Sequence, residues 1–260
     1  MPDKPILFSG PMVQALLDGL KTQTRRVLKK PIPPTDADRV FAWHPPIGAT
    51  GNWAEGGLWA DQHMRGDPGG PDHVGGYKRY CGPLPHTPGD RLWVREAHAL
   101  LPRTAYRMSI GTGTIEQREH PTDNYSAAVF RQGFDRSGRL QWRPSIHMPR
   151  WASRLTLIVT DVRVQRLQDI SEWDAIAEGL KWYEDETKPE RDSGWILEPN
   201  KREPGKVGVV SADARVGFEY LWDSINAKRG FGWEENPWVT ATTFTVHQCN
   251  IDAMEPRAHA

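Results

Sequence analysis

Residues Gly19-Leu20-Lys21-Thr22-Gln23-Thr24-Arg25-Arg26 decide how the chain is read. Upstream lie Ile6-Leu7-Phe8-Ser9-Gly10-Pro11 and then Met12 to Gly19, with Met12, Val13, Leu16 and Leu17 at helical spacing. Pro11 suits the first helical position and Gly19 the residue just past the end. The pattern predicts a strand, a two-turn helix with one buried face, a tight exit at Gly19 and a short extended stretch from Lys21 to Val27. Side chains alternate along an extended stretch, so Lys21, Gln23 and Arg25 share one face and Thr22, Thr24 and Arg26 the other. Lys21 can meet Thr24 only if the chain turns or bulges after Gly19.

Working outward, no sustained period of 2 or 3.6 runs from Pro31 to Pro88, where Gly and Pro concentrate, and the stretch reads as a loop-rich insertion. Order returns at the turn Pro88-Gly89-Asp90, which leads into Arg91-Leu92-Trp93-Val94-Arg95-Glu96-Ala97 as a strand. A further strand is expected over Tyr125 to Phe130. Leu155, Leu157 and Val159 point one way, whereas Val162 and Val164 are out of phase, which places a bulge near Thr160-Asp161. Ser171 offers a helix cap before Trp173, Ile176, Ala177 and Leu180, a stripe at i, i+3, i+4 and i+7, with Gly179 ending the helix. Tyr183 to Gly208 reads as a second long loop. Val216, Phe218, Leu221, Trp222 and Ile225 mark another amphipathic helix, and Trp238 to His247, rich in Thr and Val, the last strand.

With 260 residues, 38% of them hydrophobic, the chain has enough apolar material for one sizeable core, and a single domain spanning 1–260 with insertions at about 31–88 and 183–208 is expected. Formal net charge is +0, so any attraction to nucleic acid must come from a local patch. Two cysteines, Cys81 and Cys249, no basic-then-apolar leader pattern and no apolar run near the roughly 18 residues of a membrane span point to a cytoplasmic protein without a membrane partner. Cys81, His63, His73 and His86 fall in one loop, but a single Cys and irregular spacing match no zinc pattern, and neither a metal nor another cofactor is expected.

Gly19 to Arg26 resembles the G-x-K-T-x-T-x-R signature of the ASCH family, whose fold is similar to the PUA domain of RNA-modifying enzymes. Pro88 to Val94 resembles that family's P-G-D-x-L-x-V strand, Leu155 to Val164 its central strand, and Ile170 to Gly179 its short helix. Ile6 to Val27, Trp142 to Arg154 and Asn236-Pro237-Trp238 resemble in particular the ASCH-containing proteins of bacteriophages and prophages. The resemblance implies an α+β fold, a PUA-like small mixed β-barrel with short flanking helices and long loop insertions. It also implies a cleft that handles a modified nucleobase, a nucleoside or RNA.

One ASCH subfamily removes the acetyl group from N4-acetylcytidine with a Lys, a Thr and a Glu. By motif these match Lys21, Thr24 and Glu178, and Arg26 fills the last position of the signature. The implied chemistry is an amidohydrolase: Thr24 as nucleophile, poor until a base takes its proton; Lys21 as that base once its pKa falls by roughly 2 to 3 from an ordinary 10.4; Glu178 as general acid at a helix C-terminus. Arg26 would hold an oxyanion or phosphate. Ribonuclease action in the same cleft is a variant. The alternatives are a non-catalytic module for RNA, a modified nucleotide or single-stranded DNA, and a phage accessory protein with a vestigial cleft.

Other candidates each carry two readings. Arg25 neighbours the motif positions. Glu96, facing away from Arg95, is either the partner of a cleft arginine or one half of a surface ion pair. Arg143, His147 and Arg150 lie in a proline-bounded loop without an acid, which binds phosphate or is simply basic. Of the 12 tryptophans, Trp93, Trp173 and Trp222 read as core, whereas Trp43, Trp53, Trp59 and Trp142 lie in loops where a base could stack.

Overall fold

The computed structural model describes residues 3–28, 39–43, 57–62, 77–106, 116–136, 139–184, 193–196 and 211–254, with backbone alone for 39–43, 57–62 and 77–82. The chain forms β1 (Lys4–Leu7), α1 (Gly10–Leu17) and β2 (Gln23–Val27), then β3 (Arg39–Trp43), β4 (Gly57–Gln62) and β5 (Tyr77–Gly82). There follow β6 (Arg91–Arg95), β7 (His98–Pro102), β8 (Gln117–Glu119), β9 (Ser126–Phe130) and β10 (Thr156–Arg166). The remainder is α2 (Glu172–Ala177), β11 (Lys181–Tyr183), β12 (Gly194–Ile196), α3 (Ala214–Asn226) and β13 (Trp238–His247). It is an α+β fold of several sheets and few helices.

The central sheet runs β1-β6-β10-β13-β2, with β1 parallel to β6 and the other pairs antiparallel. Among the described residues it is open: β1 and β2 are its two edges, and the barrel closure expected from the resemblance is not present. The bulge falls between Val159 and Asp161, where the sequence places it. The extra residue restores the phase, so Leu157, Val159, Val162 and Val164 all enter one core with Ile6, Phe8, Val13, Leu16, Leu92 and Phe244. β13 covers Trp238 to His247 as expected, and β9 begins one residue later than Tyr125.

Several expectations are corrected. The stretch from Pro31 to Pro88 carries the antiparallel sheet β3-β4-β5, and β12 lies within the second presumed loop, paired with β11 at its entry. Strands of three to six residues are too short to show a period among so many glycines and prolines. Trp173 is 81% exposed rather than core. Helix α2 is only six residues long and buries Ala175 and the following Glu178-Gly179-Leu180, so its inner face is turned away from Trp173. In α3 the buried side is Ala214, Gly217, Phe218 and Trp222, leaving Ile225 exposed, because Asn226 and the turn after it take the inner position. Ala214, Phe218 and Trp222 form a second core with Leu167, Ile170, Leu180 and Val239, on the far side of β2 and β13. No helix among the described residues is long and apolar enough to cross a membrane.

Candidate functional site

The motif turns inward because of two glycines. After α1, Gly19 adopts φ +72° and lets the backbone N–H of Leu20 and of Lys21 both reach the Ala15 carbonyl. Lys21 then bridges Glu178 through the backbone, and the Thr22 N–H donates to the Ala177 carbonyl. Gly179 closes α2 at φ +102°, and a Cβ there would sit 2.9 Å from the Ala15 Cβ and 3.1 Å from the Lys21 Cβ. Glycine alone fits this crossing, where the end of α1, the entry to β2 and the end of α2 meet.

At the crossing the Lys21 Nζ lies 2.8 Å from Glu178 Oε2 and donates at 2.8 Å to the Glu178 carbonyl. Arg25, two residues along the same face, places Nη1 3.4 Å from Glu178 Oε1 and Nη2 3.0 Å from Asp174 Oδ2. Gln23 accepts from Arg25 and donates to Asp174 Oδ1 at 3.0 Å, while Arg163 donates to the same oxygen at 2.8 Å. Lys21 is 0% and Glu178 3% exposed, so this pair is sealed from water, while Asp174 and Arg163 carry the network out to the surface. Burial, the largest influence, lowers the Lys21 amine from its ordinary pKa. The charge and hydrogen bond of Glu178 oppose it, and Arg26 and Arg25 act with it. For Asp174 burial raises the pKa, but hydrogen bonds from Arg163 and Gln23 and the charges of Arg25 and Arg163 prevail and hold it at about 2.

No family model, curated protein or solved structure matches the chain.

Of the expected site residues, Lys21, Glu178 and Arg25 come together, and Arg26 lies beside them. The Arg26 guanidinium donates to the Leu7 carbonyl at 2.7 Å and sits 5.7 Å from the Phe8 ring centroid, the same distance as the Lys21 Nζ. Thr24 is buried on the other face of β2, opposite Thr242 of β13, and no hydrogen bond joins it to Lys21. Glu96 is buried against Arg154, which donates Nε to Oε1 at 2.8 Å and Nη2 to Oε2 at 2.9 Å; this arginine is not one of the motif. Arg150 is corrected: although its loop has no acid, Asp3 and Asp252 arrive from elsewhere and both pair with it, so it is not a free anion ligand. Arg143 and His147 are exposed.

Sequence reasoning missed Gln23 and Asp174. Both were signalled: Gln23 shares the Lys21 and Arg25 face by strand alternation, and Asp174 precedes Glu178 by four residues, the spacing that stacks side chains on one helix face. Trp53, His63 and His73 lie outside the described residues, as do the side chains of Trp43, Trp59 and Cys81. Burial, then the charge of Lys4, holds the His86 imidazole at about 4. Among the described residues no cluster of His, Cys, Asp or Glu could hold a metal ion.

Proposed function

We propose that the chain is an ASCH-type protein of PUA-like fold whose Lys21 and Glu178 centre acts on a modified nucleobase or nucleoside, as an amidohydrolase of the acyl-cytidine class. The observation that carries this reading is the 2.8 Å approach of the motif lysine to a glutamate 157 residues away. The mixed five-stranded sheet, its bulged central strand and the short helices at its edges support the fold assignment.

The chemistry is that of a proton-transfer pair. A neutral Lys21 amine accepts the proton of the attacking group as that group bonds to the acyl carbon, and Glu178, at hydrogen-bond distance, relays this proton from Lys21 to the departing amine as the C–N bond breaks. Burial favours the neutral lysine that the first step needs. Thr24 supplies the attacking alcohol in this reading, and a water then hydrolyses the acyl ester formed on it. Because Thr24 and Lys21 belong to opposite faces of the same stretch, Thr24→Val separates attack by the alcohol from attack by a water that Lys21 activates. The protein is expected to hydrolyse N4-acetylcytidine or a related acyl-cytidine, and Lys21→Ala to slow it by about 100-fold or more, the usual weight of general acid–base catalysis. Absence of turnover on every such compound, or turnover indifferent to the substitution, contradicts the proposal.

A second reading is favoured by one observation: the Lys21 amine has no accessible surface and already donates to two oxygens of Glu178. In that reading the pair holds the cleft in shape, and the exposed Arg26 contacts RNA or a modified nucleotide without reaction. It predicts salt-dependent binding that weakens on Arg26→Ala, with no turnover.

A further inference from the structure

The Lys21 centre continues past Glu178 as a row of alternating charges. Lys21, just before β2, and Arg25, within it, share one face and stand four residues apart, about 13 Å along an extended chain. Asp174 in α2 and Glu178 at its end are also four residues apart, but that is only about 6 Å along a helix. Lys21 bridges Glu178 in an antiparallel sense and Arg25 meets Asp174, so strand and helix run in opposite directions. The cations are spaced more widely than the acids that they face, and the long Arg25 side chain leans back to touch both. Its Nη2 lies 3.0 Å from Asp174 Oδ2 and its Nη1 3.4 Å from Glu178 Oε1, and Gln23 accepts from the same Nη1.

The order of these distances matters. Arg154 takes both oxygens of Glu96, at 2.8 and 2.9 Å, and a guanidinium seated on Glu178 in the same way would exclude Lys21. Asp174 prevents this by holding Arg25 more closely than Glu178 does, and Asp174 is itself fixed by Gln23 at 3.0 Å and by Arg163 at 2.8 Å. Glu178 Oε2 is left to the Lys21 amine at 2.8 Å. Two carboxylates, Glu178 and Asp174, thus face two guanidiniums, Arg25 and Arg163, and the row is balanced before Lys21 is counted. A buried carboxylate requires a counter-ion, and a lysine that is its sole counter-ion keeps its proton. Here a guanidinium, which gives up no proton at ordinary pH, is already in place. Among the described residues the charged groups bearing on the Lys21 amine are Glu178 from the end of α2 and Arg26 and Arg25 from β2; the two arginines act with burial against the protonated form.

We infer that Arg25 is a positioning residue of the Lys21 centre: held off by Asp174, it stands as the permanent counter-ion of Glu178 and leaves Lys21 to act as a neutral amine beside the carboxylate. Arg25 acts through Glu178 and touches no reacting atom. The inference rests on the proton-transfer reading of the pair and adds to it the residues that set its protonation, with Arg25 supplying the charge and Asp174 limiting how closely that charge approaches Glu178.

The test is an NMR titration of the Lys21 side chain in the full chain labelled at lysine, with the resonance assigned by its absence from Lys21→Ala. It needs no substrate and so fails independently of the hydrolase reading. In the wild type the Lys21 amine should titrate below the roughly 10.4 of an ordinary lysine. Arg25→Gln removes the charge and keeps a polar side chain; it should raise the proton affinity of Lys21 about tenfold or more, about one pH unit in the midpoint. Arg25→Lys keeps a cation in the corner and should hold that affinity within about threefold of wild type. Asp174→Asn releases Arg25 onto Glu178 and should lower the affinity about twofold or more, opposite in sign to Arg25→Gln. An arginine that only supports the fold gives no such pair of opposite shifts. Melting curves confirm that each variant is folded, and if Arg25→Gln is not, the direction of the Asp174→Asn shift decides. An Arg25→Gln midpoint at or below that of wild type, an Arg25→Lys midpoint that follows Arg25→Gln, or an Asp174→Asn midpoint at or above wild type would overturn the inference.

Discussion

Glu96, just past the end of β6, and Glu178, at the end of α2, are both buried and both hold a cation, yet the two pairs differ in what they can do. Arg154 grips Glu96 with two parallel hydrogen bonds, is packed 4.2 Å over the Phe130 ring and also reaches Glu116. A guanidinium keeps its proton at any ordinary pH, so this pair can only clamp the start of β10 to the end of β6. Lys21 is a point charge on a flexible stem, and burial lowers its pKa. The same carboxylate chemistry gives a fastener with arginine and, in the function proposed here, a proton-transfer pair with lysine.

The largest expected effect breaks the fastener. Glu96→Ala leaves the Arg154 cation buried beside one exposed acid and should cost about 3 to 5 kcal/mol in urea unfolding. A loss below about 1 kcal/mol would mean that the clamp is not structural. Gly179→Ala attacks the other pair through the backbone. It forces a Cβ into a left-handed position already filled by Ala15 and Lys21, at a cost of about 2 kcal/mol, and should lower turnover as well by displacing Lys21. Unchanged stability would show that the crossing is looser than the distances imply.

The pH dependence sharpens the comparison on the Lys21 side. Asp174 titrates at about 2, below the roughly 3.9 of an unfolded aspartate, so its contribution is present above pH 4 and is lost as pH falls toward 2. The stability gap between wild type and Asp174→Asn, read from melting temperatures, should shrink through that window. A gap that is flat from pH 5 to pH 2 would remove Asp174 from the network. The smallest effect is Trp173→Ala, which should change stability by less than about 0.5 kcal/mol despite the size of the side chain. A greater loss would return Trp173 to the core.

What the sequence carries most clearly is local. The break in phase between Val159 and Val162 fixed the bulge, Ser171 caps α2 by accepting from the Asp174 N–H, and both ends of β13 follow from its Thr and Val content. The Lys21 and Glu178 contact depended on the family resemblance, since nothing in the pattern of either segment specifies the other across the chain. Trp173 was misplaced because a six-residue helix is too short for its period to fix a face. Arg150 was misread because a loop without acids says nothing of Asp3 and Asp252, which reach it from distant parts of the chain. Gln23 and Asp174 were legible by parity and by helical spacing, respectively, once their segments were set side by side.

The most direct measurement on the central claim compares hydrolysis of N4-acetylcytidine by wild type and by Lys21→Arg, which fixes a positive charge beside Glu178 and removes the proton acceptor. The account predicts turnover in the wild type and a loss of about 100-fold or more in a variant that melts within a few degrees of it. Equal turnover by the two proteins, or none by the wild type, would contradict it.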